Sequence, residues 1–235
     1  MTKTFQSRQK VKIGLVTIGQ SPREDIVSEM RNILGGNIEI LQSGALDGLT
    51  RLEINRLQPR KTEFPLLTRL NDGTSVIVGK KKIVPLLNQR IADLEHIGTV
   101  LIALLCTEEF EGLISKQPLV LPWNIMQQTI DAIHPAGKLG ILIPMEEQQQ
   151  AMQKKWGKTG VKFILEPVNP YEDRTQLKKR LMKLCEEVEL VVLDCFGYNS
   201  KFQNQIYSIS KKPVILPQTI VAEYIKGMII GSDKK

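Results

Sequence analysis

Two apolar runs, each closing on a cysteine, constrain this chain more than any other feature. Val100-Leu101-Ile102-Ala103-Leu104-Leu105 leads into Cys106-Thr107, and Leu190-Val191-Val192-Leu193-Asp194 leads into Cys195-Phe196-Gly197. A short apolar run bounded by a polar or Gly-containing turn reads as a buried strand of a parallel sheet. Open α/β sheets hold their ligands just beyond the carboxyl ends of such strands. Two thiols delivered there from two parts of one chain predict a shared cleft with a proton-transfer group on each side. The bland alternative is that free cysteine is simply a small apolar residue ending a strand.

Equivalent placement favours the functional reading, because the pairing extends beyond the cysteines. Lys12-Ile13-Gly14-Leu15-Val16-Thr17-Ile18 matches Lys138-Leu139-Gly140-Ile141-Leu142-Ile143-Pro144, and Pro118-Leu119-Val120-Leu121-Pro122 matches Pro213-Val214-Ile215-Leu216-Pro217. The offset is 138 − 12 = 126 residues for the first match and 195 − 106 = 89 for the cysteines, so the first half carries 126 − 89 = 37 extra residues. They fall between Gly44 and Lys80. There, two apolar runs flank Asn71-Asp72-Gly73-Thr74, a hairpin signal. Arg51 to Glu63 is charged and contains Pro59, which reads as an exposed excursion. The insertion is either a lid over the cleft or peripheral decoration.

Strands alternate with helical patterns throughout, which predicts an α/β fold of two pseudosymmetric, doubly wound parallel-sheet domains facing each other across a cleft. The first spans 11–122, with the insertion at about 44–80, and is joined by a C-terminal helix over 219–229. The second spans 123–218. Ser21-Pro22-Arg23-Glu24 reads as a capping box with Ser21 at N-cap, and Glu108 to Ile114 as a short helix.

Composition excludes several classes. With 235 residues, 42% hydrophobic and 24% charged, the chain is an ordinary globular protein. It has no apolar stretch near the ~20 residues of a membrane span. Met1 to Lys10 is polar and lacks a secretion signal's apolar core, so a cytoplasmic location and a disordered lead-in are expected. Three cysteines without a C-x-x-C pair argue against a disulfide framework or structural zinc. Cys185 falls in a helical pattern as a packing residue, and His96 and His134 stand alone as structural residues. The net charge of +7 is dispersed over Lys80-Lys81-Lys82, Lys154-Lys155, Lys178-Lys179-Arg180 and Lys211-Lys212. With 5% aromatic residues and no base-stacking motif, these clusters read as solvated helix faces rather than a nucleic-acid footprint. Their weak positive field suits small anions.

Thr17-Ile18-Gly19-Gln20-Ser21-Pro22-Arg23 and Leu193-Asp194-Cys195-Phe196-Gly197, with the two strand-end cysteines, resemble the AroM family over roughly Val11 to Ile229. That family is similar in turn to the aspartate/glutamate racemase superfamily, which includes hydantoin racemases, maleate isomerases and arylmalonate decarboxylases. The resemblance implies two pseudosymmetric domains with one cysteine from each at their interface, at Cys106 and Cys195, and chemistry without a cofactor or metal. Racemases commonly read Cys-Asn-Thr and Gly-Cys-Thr at the two sites. Here the sites read Cys106-Thr107-Glu108 and Asp194-Cys195-Phe196-Gly197. The missing second threonine weighs against amino-acid racemisation itself and leaves proton handling with another substrate.

Abstracting a proton α to a carboxylate needs a base beside the carbon and donors for the enolate-like charge. A thiolate on one face and a thiol on the other meet the first need, and a helix N-terminus after each cysteine is expected to lower its pKa. Candidate catalytic residues are therefore Cys106 and Cys195. Gly19, Gln20, Ser21 and Arg23 form an anion-binding turn at a predicted helix start, with Thr107, Gly197 and Tyr198 placing the ligand. Asp194 orients a thiol or raises its pKa by like-charge repulsion. The expected activity is a racemase-like isomerisation of a small carboxylate-bearing substrate. A one-cysteine decarboxylase, a non-catalytic anion-binding sensor and assembly as a homodimer remain open.

Overall fold

The computed structural model describes residues 10–171 and 177–229. Two four-stranded sheets, parallel throughout, carry the fold. The first uses β1 (Val11–Thr17), β2 (Ile38–Gly44), β5 (Leu101–Leu105) and β6 (Leu119–Val120) in the order β2-β1-β5-β6. The second uses β7 (Leu139–Ile143), β8 (Phe163–Pro167), β9 (Leu190–Leu193) and β10 (Val214–Ile215) in the order β8-β7-β9-β10. By chain order both read 2-1-3-4, the same winding twice. Register makes the equivalence exact to the residue. Gly14 pairs with Ile102 and Gly140 with Val191, so each cysteine lies four positions beyond the partner of the equivalent glycine.

The repeated glycine has a packing cause. A Cβ on Gly14 would sit 2.9 Å from Leu94 Cδ1 and 3.1 Å from Ile102 Cγ1; one on Gly140 would sit 3.2 Å from Leu184 Cδ2 and Val188 Cγ2. Leu94 belongs to α3 (Lys80–His96) and Leu184 to α6 (Leu177–Glu187). In each half, then, the helix that precedes the cysteine-bearing strand lies close over the central strand, where interiors leave no spare volume.

Two helices are exchanged between the halves. α4 (Pro122–Ile133) leaves the first sheet and buries Trp123, Met126 and Ile130 among Ile141, Ile143 and Val192 of the second. α8 (Pro217–Ile229) leaves the second sheet and buries Val221, Ala222 and Ile225 against Ile26, Val27 and Met30 of α1 (Glu24–Leu34) in the first core. Each half is therefore completed by chain from the other. No helix among the described residues is long and apolar enough to cross a membrane.

The insertion holds α2 (Arg51–Arg56) and an antiparallel hairpin of β3 (Pro65–Arg69) and β4 (Ser75–Gly79), turning at Gly73 with φ +83°. The charged stretch expected as an excursion thus starts as a helix, opened by a Thr50–Glu53 capping box. Two further expectations fail. Glu108 to Ile114 is not helical, because Asn88 of α3 ties the segment down, donating to Gly112 O and accepting from Ile114 N at 2.9 Å each. Ser21 does not cap α1; that helix starts at Glu24 without a side-chain cap, and Ser21 instead bonds Asp47 through its amide and hydroxyl at 2.7 and 2.5 Å. The Ser21–Pro22 peptide is cis.

Gly14→Ala is expected to destabilise the fold by about 1–3 kcal/mol through overpacking, and Gly140→Ala by less, since its contacts are looser. Gly36→Ala, which meets nothing within 4 Å, is the neutral control. Urea midpoints with unchanged slopes check the ranking.

Candidate functional site

Both cysteines line one cavity of about 40 Å³, walled by residues of both halves and of the β3–β4 hairpin. Each sulfur sits where its strand ends and meets the amide two residues on. Gly197 N donates to Cys195 Sγ at 3.3 Å, and the Glu108 amide bonds Cys106 in the same way. These amides replace the expected helix N-termini: the first helix does not form, and α7 (Ser200–Ser210) starts beyond the site, capped by Asn199. Burial pushes the Cys195 thiol up to about 11; the Gly197 amide opposes this, Asp194 adds to it, and Arg23 and Lys155 pull it down. Burial raises Cys106 further still, against the pull of the Glu108 amide and Lys155. Both are therefore neutral thiols at neutral pH, contrary to the lowered values expected from sequence.

A buried ammonium joins the two cysteine-bearing ends. Lys155, on α5 (Gln149–Gly157), donates to Thr107 O at 2.9 Å and to the Asp194 carboxylate at 3.0 and 3.2 Å. Thr107 follows Cys106 and Asp194 precedes Cys195. The Lys155 Nζ also lies 3.8 Å from Glu108 Oε2 and 4.4 Å from the centre of the Trp123 ring, while Trp156 Nε1 donates to Asp194 at 2.7 Å. Lys80 continues the line with a 3.0 Å bond to Glu108 Oε1. Lys155 is only 5% exposed, so it does not belong to the solvated clusters in which the sequence placed it.

Arg23 lines the cavity and is buried. Its Nε and Nη2 hold the Asp25 carboxylate at 2.8 and 2.7 Å, and Nη2 also donates to Tyr171 Oη at 3.1 Å, joining the halves. Burial works against its charge, but Asp25 and Tyr171 raise its pKa above the ordinary guanidinium value. Tyr171 is itself pushed up to about 12, chiefly by burial. It reaches the cavity because Gly197 has no side chain: a Cβ there would lie 2.7 Å from the Tyr171 oxygen.

Among the sequence candidates, Cys106, Cys195, Arg23, Thr107 and Gly197 come together at the cavity. Gly19, Gln20, Ser21 and Tyr198 do not line it. Gly19 O accepts from Leu46 N, and Gln20 joins Arg69 O and Asn71 N of the insertion. Ser21 is held by Asp47, and Tyr198 is a core residue whose hydroxyl donates to Val168 O at 2.6 Å. That turn anchors the hairpin rather than facing the cleft. Sequence reasoning missed Thr68, Glu108, Gln148 and Tyr171 on the wall, and Lys155 behind it. Only Lys155 left a signal: with Met152 and Trp156 it falls at i, i+3, i+4 on the apolar stripe of α5.

Lys155→Met is expected to cost about 3–5 kcal/mol, since it leaves buried carboxylates uncompensated. Adding Asp194→Asn should recover part of the loss, as a double-mutant cycle in urea would measure.

Solved structures share the fold. The structure resembles Picrophilus torridus aspartate racemase at a TM-score of 0.62 and 12% identity, covering 93% of this chain and 94% of that one. Maleate isomerase from Pseudomonas putida matches at 0.62 and 10%, covering 93% and 92%. A liganded double mutant of arylmalonate decarboxylase matches at 0.60 and 9%, covering 96% and 95%. At such identities the likeness establishes a shared fold, that of the Asp/Glu racemases. No curated protein matches the sequence. The family model described as AroM protein matches residues 13–229, and the chain belongs to the AroM family.

Proposed function

We propose that this protein is a cofactor-independent, racemase-like isomerase in which Cys106 and Cys195 exchange protons at the carbon α to the carboxylate of a small organic acid. The observation that carries the reading is the placement of two thiols at register-equivalent strand ends, from opposite halves, on the wall of one cavity. Inversion at a carbon needs a proton group on each face, which one cysteine cannot supply. The buried Arg23 on the cavity wall offers a guanidinium for a carboxylate and its enolate-like transition state, and Lys155 behind it fixes the residues beside both cysteines. The similar proteins named above are an aspartate racemase, a maleate isomerase and an arylmalonate decarboxylase, all named for small carboxylates.

A second reading, a non-catalytic anion-binding or sensor protein, draws on the neutral thiols. The two readings separate by substitution. Cys106→Ser and Cys195→Ser should each shift stability by only about 1 kcal/mol, within the range of ordinary single substitutions. Both should abolish deuterium exchange at the substrate α-carbon, followed by NMR in D₂O. Inactivity of Cys195→Ser alone would instead indicate one-cysteine protonation, as in a decarboxylase. Full turnover in both variants would make the cysteines structural.

The pH dependence follows from the raised thiol. The thiolate is the reactive form, so a raised pKa moves reactivity to higher pH. Alkylation of Cys195 by iodoacetamide should climb about tenfold per pH unit above neutrality and level off only near pH 11. Cys106 should lag behind it, and a bound acid should protect both. A plateau below pH 9, read by peptide mass spectrometry, would contradict the burial argument.

A further inference from the structure

Three buried polar atoms without a hydrogen-bond partner belong to residues on the cavity wall: Thr68 Oγ1, Glu108 Oε2 and Gln148 Oε1. They come from three places in the chain, namely the inserted hairpin, the segment after Cys106 and the turn before α5. All three residues are at least nine-tenths buried. Leaving such groups unpaired is costly, and most buried polar atoms in folded proteins are paired.

All three can accept a hydrogen bond. Gln148 Nε2 donates to Pro65 O at 2.7 Å, and a carbonyl can only accept, so the amide oxygen is the end left over. A carboxylate oxygen is an acceptor alone. The Thr68 hydroxyl lies over Gly19, where a Cβ would come within 2.4 Å of it. Glu108 already has Lys80 at 3.0 Å and Lys155 at 3.8 Å, so its charge is matched. The spare capacity is thus for a neutral donor: an added ammonium would crowd Lys80 and Lys155 at the one carboxylate among the three acceptors. The neighbouring wall is apolar, from Phe64, Leu66 and Met152.

We propose that Thr68, Glu108 and Gln148 form an acceptor subsite that selects small carboxylic acids bearing a hydroxyl group over their amino and unsubstituted counterparts. The subsite rests on the reading of the cavity as a site for a small acid. It also assigns a role to the insertion, which supplies Thr68 as a specificity residue.

Calorimetric titration of the full chain with three matched series tests it: lactate, alanine and propionate; malate, aspartate and succinate; mandelate, phenylglycine and phenylacetate. In at least one series the hydroxy acid should bind about tenfold or more tighter than both partners, as expected when buried acceptors go unpaired. Thr68→Val keeps the side-chain shape and removes the hydroxyl. It should reduce that preference several-fold while leaving unfolding unchanged or raising the midpoint, because the hydroxyl has no partner to lose. Gln148→Met should weaken the same preference at some cost to stability through Pro65 O. Equal binding of hydroxy and unsubstituted acids would overturn the subsite while leaving the acid site standing. Tighter binding of the amino acids would overturn the preference for a neutral donor. Clear destabilisation by Thr68→Val would show that the hydroxyl is already satisfied, which also overturns it. Binding of none of the acids would overturn both the subsite and the reading beneath it.

Discussion

The arrangement of the cleft depends on the ammonium of Lys155. Taking a lysine out of water costs several kcal/mol unless its charge and donors are met. Here they are met from both halves at once, by Thr107 O on one side and Asp194 on the other, with the Trp123 face as a third contact. Separating the halves would leave the ammonium with Asp194 and Trp123, which pack in the second half, and take away Thr107 O and Glu108. Docking thus adds the Thr107 carbonyl and the more distant Glu108 to an ion pair that the second half already holds, and the residues adjoining Cys106 and Cys195 meet at a common point. The carboxylate partners are secured in turn, Asp194 by Trp156 and Glu108 by Lys80.

The helix exchange acts in the same direction on a larger scale. α4 and α8 each leave one sheet and complete the core of the other, so neither half has a closed core alone. Gln218, at the start of α8, donates to Phe196 O and Tyr198 O and so grips the segment just beyond Cys195. Ser200, at the start of α7, bonds Glu29 of α1 across the halves. Apolar burial supplies the adhesion, and these directed contacts set how the second cysteine faces the first.

The skeleton was legible in the sequence and much of the wall was not, for physical reasons. Strand runs such as Leu101–Leu105 are apolar because both faces are buried, so a local pattern reports them. The 37-residue offset survives in the register because insertions between elements leave strand pairing intact. Ser21 misled because its capping pattern is local while Asp47, its actual partner, comes from the chain beyond β2. The segment from Glu108 misled because the Asn88 contacts that unmake a helix are also remote. Thr68, Gln148 and Tyr171 carried no signal: a polar residue near a strand end or turn is unremarkable until folding delivers it to a cavity. Lys155 could have been found, since a lysine on an apolar stripe between Met152 and Trp156 demands a partner.

Burial governs reactivity at this site. The cavity of about 40 Å³ that both cysteines line is small and walled from both halves. Two contacts on its wall bridge the halves, Arg23 to Tyr171 and Gln148 to Pro65. Burial raises both thiols, Cys106 the more. Lys155 opposes it at both cysteines and Arg23 at Cys195, so the enclosure that keeps the thiols neutral also sets beside them two cations whose charge water screens little.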